Sequence, residues 1–155
     1  MKGNDKAIKD IDAIKNIISK CQVAEITMYK DNIPYLVCLN YGYEFKDGEL
    51  ILYCHFSNKG KELDILDENP NVFVEINNKK NIISDNNSCW LDLEYFSIIS
   101  SGKVEFIHNI YDKIHVLNKL MEHYTYNDNN SLKNEALNKI LLLKIKCTNL
   151  SLKKL

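Results

Sequence analysis

At 155 residues the chain is long enough for one domain with a sizeable core, and its 45% hydrophobic and 26% charged content is ordinary for a globular protein. A net charge of −1 leaves no general basic face, which excludes a broad nucleic-acid binder or anionic-membrane binder. No apolar run approaches the roughly 20 residues of a membrane span and the N-terminus MKGNDKAIKDIDAIKN is too polar and acidic for a signal peptide, so the cytoplasm is the expected compartment.

Asp5 to Lys20 places Ile8, Ile11, Ile14, Ile17 and Ile18 at helical spacing, with Asn4 or Asp5 available as a cap; the amphipathic helix reads as a lid on a barrel end. Gln22 to Tyr29 turns to β-type residues, Lys30-Asp31-Asn32 is a turn signal, and Ile33 to Tyr41 resumes extended character. After Asp47-Gly48, Glu49 to Phe56 completes a three-stranded meander. Lys61 to Asp67 predicts a short helix stopped by Asn69-Pro70, and Asn71 to Ile76 a strand. The polar stretch NNKKNIISDNNS from Asn77 to Ser88 reads as a mobile loop. Tyr95 to Ile107 predicts a long strand in which Gly102 marks a bulge or a close backbone approach. Tyr111 to Tyr124 predicts a second amphipathic helix, and Lys139 to Leu150 holds the last strand. Six strands with helices set aside predict a mainly β fold with flanking α, a small antiparallel barrel in a single domain.

The chain is organised around Pro34 to Leu66, where a strand empties into Ser57-Asn58-Lys59-Gly60-Lys61 just before a helix. Strand ends, a glycine, two lysines and the first free N–H groups of a helix converge there, and such a place favours phosphate. All 20 basic residues are lysines, so an anion must be held by point charges and backbone amides rather than by a guanidinium fork. Lys59 and Lys61 read equally well as ordinary surface lysines, and Glu62 is an unfavourable neighbour for a dianion. His55 ends a strand beside this place and reads either as a proton-handling residue or as a hydrogen-bonded wall histidine. Trp90, Tyr95 and Phe96, with Tyr41 and Tyr43, are candidates for stacking on a planar ring, or for core and interface. Cys21, Cys38, Cys54, Cys89 and Cys147 form neither a disulfide framework nor a zinc signature, and His108, His115 and His123 share no metal-ligand spacing with His55. Neither GxGxxG nor a Walker A loop occurs.

These blocks, in order, resemble the split-barrel flavoproteins related to pyridoxamine 5′-phosphate oxidase, and most closely their Nim-type nitroimidazole-resistance branch. Pro34 to Glu44 (PYLVCLNYGYE) is similar to that family's PYVVPLNFGYE strand. Asp47-Gly48, Leu52 to His55, Gly60 to Asp64, Asn69 to Val72, Tyr95 to Ile98 and Gly102 follow in the family's order and spacing. The resemblance covers nearly the whole chain and implies a six-stranded split barrel that forms a homodimer and binds FMN at the subunit interface.

By that resemblance Val37, Cys38, Leu39 and Asn40 lie along the flavin ring, Cys54 and His55 continue its wall, and Lys61, with Lys59 and Gly60, holds the phosphate. Ser97 and Trp90 reach the cofactor region or the dimer contact, and His55 matches a histidine close to the redox centre in that branch. Cys38 replaces a proline of the family and Glu62 a second basic residue, a change expected to weaken FMN binding and offset in part by Lys59. Phe96 and Ile98 depart from the family's xSV. The resemblance implies an FMN-dependent oxidoreductase that passes electrons from a reduced nicotinamide nucleotide to a small acceptor, with a nitroaromatic as candidate. The other class open to the same barrel is a flavin- or haem-binding module without turnover.

Overall fold

The computed structural model describes residues 10–84, 91–124 and 134–154. In chain order these form α1 (Ile11–Lys20), β1 (Val23–Lys30), β2 (Ile33–Lys46), β3 (Glu49–Phe56), α2 (Lys61–Glu68), β4 (Asn71–Ser84), β5 (Leu91–Ile107), α3 (Ile110–His123), α4 (Asn134–Lys139) and β6 (Leu141–Lys154). All strand pairs are antiparallel and close into a barrel in the order β1-β2-β3-β6-β5-β4. The first three strands are the expected meander. Its two turns carry positive φ at both central residues, Asp31 and Asn32 and then Asp47 and Gly48, the hand that suits a right-twisted hairpin.

Side-chain alternation along the strands builds two cores. Ile26, Leu52, Ile76, Ile98 and Ile145 fill the barrel, with the Ile14, Ile17 and Ile18 face of α1 packed into the same cluster. Outside the barrel, Ile51, Tyr53, Ile107 and Leu142 form a second cluster with Val116 of α3. Gly42 is what lets α3 approach: a Cβ there would stand 2.6 Å from Leu120 N and from Lys119 C, which are backbone atoms that cannot rotate away.

Four sequence expectations are corrected. Asp10 is extended (φ −81°, ψ 97°) and is itself the N-cap, accepting from the amides of Asp12 and Ala13, so the helix starts at Ile11 rather than Asp5. Residues 4, 5 and 8 lie outside the described residues. The stretch read as a loop from Asn77 is strand as far as Ser84, because it pairs with 91–97 of β5 as a hairpin, a register that outweighs the poor strand propensity of Asn and Lys. β2 runs on to Lys46, carried by its ladder to β3. The short α4, which buries only Leu137 among its described side chains, was not expected. Gly102 does mark a close approach, to Ile145 and Val72, while the register shift falls just before it, between Ile99 and Ser101.

Candidate functional site

β2 changes neighbours half-way along its length. From Ile33 to Asn40 it pairs with β1, and from Tyr41 to Lys46 with β3; the two ladders do not overlap. β3 meanwhile continues past Cys54 against β6, where His55 and Phe56 pair with Leu142 and Leu141. The barrel wall is therefore split beyond the Tyr41–Cys54 rung, with Asn40 on one lip and His55 on the other, both exposed.

The chain leaves β3 through Ser57 to Gly60 and enters α2 at the same lip. Asp10 caps α1 and Asn109 caps α3, but α2 starts at Gly60 with no side-chain cap, leaving its first amides open. Lys59 and Lys61 are exposed and form no ion pair among the described residues; Lys61 Nζ instead lies 5.4 Å from the centre of the Tyr35 ring. The Tyr35 hydroxyl donates to Glu62 Oε1 at 3.1 Å, a bond that holds the phenol protonated above its usual value. Open helix amides and unpaired lysines can take up one anionic group.

The alternation of β2 sorts the expected ring-lining residues. Val37 and Leu39 face inward and are partly buried, while Cys38 and Asn40 face outward and are exposed. Cys54 is a core residue: burial pushes its thiol up to about 12, so only its backbone borders the split. The His55 imidazole makes no hydrogen bond or ion pair among the described residues, whereas His123 donates to Cys21 O at 2.7 Å. Ser97 is buried on β5 and donates to Glu75 Oε1 at 2.7 Å. Glu75 and Cys38 both pair with Glu25, so Ser97 reaches the Cys38 row only across two intervening strands, and one chain does not bring it to His55. Trp90 lies outside the described residues.

Sequence reasoning gave Tyr35 no role. The signal was present, since Tyr35 shares the period-2 face of Val37 and Leu39 and so aims at the same split. Glu44 was missed as well; it accepts from Tyr53 and from His115 (3.3 Å) beneath α3. Burial alone would raise its carboxyl, but those bonds and the Lys119 charge hold it below the usual value. Concavities of about 540 Å³, beside Tyr43 and His123, and about 720 Å³, beside Phe73 and Gly102, are lined by none of Asn40, His55, Lys59 and Lys61. Among the described residues no group of three or more His, Cys, Asp and Glu side chains could hold a metal, and no helix is long and apolar enough to cross a membrane.

A family model described as pyridoxamine 5′-phosphate oxidase matches residues 10–154. The chain belongs to that family. Its fold is the family's split barrel, as the resemblance implied. A solved structure from Bacteroides thetaiotaomicron, provisionally assigned to 5-nitroimidazole antibiotic resistance, is 28% identical and superposes with a TM-score of 0.82 over 95% of this chain and 85% of that one. An FAD- and haem-binding protein of Mycobacterium smegmatis is 18% identical, with a TM-score of 0.80 over 94% and 71% of the two chains. A flavocytochrome of Azotobacter vinelandii is 13% identical, with a TM-score of 0.77 over 95% and 68%. At those two identities the likeness is one of fold. No curated protein matches the sequence.

Proposed function

We propose that this family member is an FMN-dependent oxidoreductase working as a homodimer, with electrons passing from a reduced nicotinamide nucleotide to a small acceptor. The observation that carries the reading is the uncapped start of α2 beside unpaired Lys59 and Lys61, set at the mouth of the split between β2 and β3. Lys61 and Lys59, with the α2 amides, would hold the phosphate end, and the Val37 to Asn40 edge with His55 would border the ring. FMN, when bound, supplies the two-electron chemistry that links donor to acceptor. The chain's own residues position it, keep water from one side and offer the unpaired His55 ring for a proton. A nitroaromatic acceptor is supported by the 28% identical relative and its provisional assignment.

The dimer is supported by apolar surface. Leu36, Thr27 and Phe73 form one row across β2, β1 and β4, and Leu36 and Phe73 are 53% and 39% exposed in the single chain. A second copy would cover that face.

The test is whether the purified protein carries flavin absorption bands and oxidises a nicotinamide nucleotide with acceptor present. Lys61→Ala is expected to weaken FMN roughly tenfold or more while leaving riboflavin nearly unchanged, because only FMN presents a phosphate. Flavin binding without any nicotinamide oxidation would leave the non-catalytic module as the function.

A further inference from the structure

The α2 junction contains its own anion. Gly60 is extended, so its backbone does not require glycine; the Glu62 carboxylate lies over its Cα, with Oε2 in the space a Cβ would take, and a larger residue there would push that flexible carboxylate aside. The carboxylate is thus folded back over the N-cap position of α2, and its other oxygen is clasped by the Tyr35 hydroxyl at 3.1 Å. The same tyrosine ring draws Lys61 Nζ over its face, 5.4 Å from the centroid, so one side chain organises both the cation and the carboxylate.

The local charge is balanced as well. Lys59 and Lys61 are matched by Glu62 and Asp64, and the chain has no arginine to add a bidentate clamp. A terminal phosphate monoester, which carries close to two negative charges near neutral pH, would meet a junction with no net positive charge and a carboxylate already lodged in it. A neutral tail would meet no such opposition, and Tyr35, Glu62 and the open amides could all hydrogen-bond its hydroxyls.

We infer that Glu62, latched by Tyr35 over Gly60, is a specificity-determining residue that sets this junction against a terminal phosphate dianion and toward a flavin with an uncharged tail. The inference rests on the flavin reading above and revises its phosphate end: the Lys61 attraction that Lys61→Ala removes is offset in the native protein by Glu62, so FMN binds no more than about as well as riboflavin.

The test is titration of riboflavin and of FMN into the native protein, Glu62→Gln and Tyr35→Phe, followed by flavin fluorescence, with circular dichroism confirming the fold of each. The native protein is expected to bind the two flavins within roughly threefold of one another. Glu62→Gln should tighten FMN roughly tenfold and leave riboflavin unchanged, and Tyr35→Phe, which frees the carboxylate, should shift FMN in the same direction by less. A native protein that prefers FMN more than about tenfold, or a Glu62→Gln change that moves both flavins equally or neither, overturns the inference and leaves the flavin reading standing. No flavin binding by any of the three proteins overturns both.

Discussion

Tyr41 and Cys54 form the last rung between β2 and β3, and both side chains are fully buried at the point where the strands part. The Tyr41 hydroxyl lies 2.7 Å from Ile18 O and 2.9 Å from Cys21 O, so the strand that opens the split is tied at the same residue to the end of α1. One hydroxyl proton serves two carbonyls of a helix C-terminus that has no glycine cap. Burial holds that phenol protonated far above the ordinary tyrosine value.

Tyr41→Phe should therefore be costly out of proportion to one oxygen atom. It strands the Ile18 carbonyl, while Cys21 O keeps its bond from His123, without removing any apolar packing, and an unmet buried acceptor costs about 1–3 kcal/mol. Urea unfolding of the native and variant proteins measures this directly. A shift of only a few tenths of a kcal/mol would mean that water reaches the α1 end and replaces the bond.

His123 closes the same corner, donating to Cys21 O with its ring 4.5 Å from that of Tyr41. Burial depresses its pKa, the Cys21 carbonyl opposing only in part. Below about pH 6.5 the unfolded chain takes up the proton first, so stability should fall as pH drops from about 7 toward the depressed folded value. Glu44 acts in a separate window: its folded pKa is also depressed, so its contribution is present above the ordinary carboxylate value and is lost as pH falls from there through the folded value. His123→Gln should be less stable at pH 7.5 yet flatter between pH 7 and 5. An equal slope in native and variant unfolding would assign the pH response to another group.

Periodicity made most of the fold legible, and pairing decided what it did not. Glu49 to Phe56 could be read to the residue because its apolar run ends in Asp-Gly on one side and Ser-Asn-Lys-Gly on the other. Asn77 to Ser84 could not, because its strand character comes from partners on β5 rather than from its own side chains. At the site, the Cys54-His55 pair was found but not sorted: which of them faces the core follows from the Tyr41 register, a contact between strands. Ser97 shows the same limit, since its partner Glu75 lies on another strand. Glu62 was legible as a charge in the wrong place, whereas its clasp by Tyr35, 27 positions earlier, exists only once α2 is docked against the barrel.

The exposed row of Leu36 and Phe73 gives the dimer proposal a direct handle. Leu36→Asp places a charge at the β2 end of that row, where covering it by a second copy would require desolvation without a partner cation. The native protein should run as a dimer in light scattering and the variant at half its mass, with weaker flavin binding because the site would lose its neighbour. A native protein that is monomeric, monodisperse and able to bind flavin removes the dimer from the function altogether.

His55 is where a structural and a chemical role can be separated most cleanly. Its neighbour Cys54 packs in the core, but the imidazole itself is exposed on the lip of the split and has no hydrogen-bond or ion-pair partner among the described residues. Removing it should leave packing almost untouched, so His55→Ala is expected to keep its unfolding midpoint and to bind flavin within roughly threefold of native. Acceptor reduction is different. If the ring delivers a proton as the acceptor takes up electrons, its loss should slow that step by about 10²-fold or more, the usual scale of general acid–base assistance. Stopped-flow mixing of pre-reduced protein with acceptor isolates the step from nicotinamide oxidation, which should stay near the native rate. A variant that reduces acceptor at the native rate across pH would leave His55 as a lip residue that shapes the opening, and the proton would then have to come from solvent.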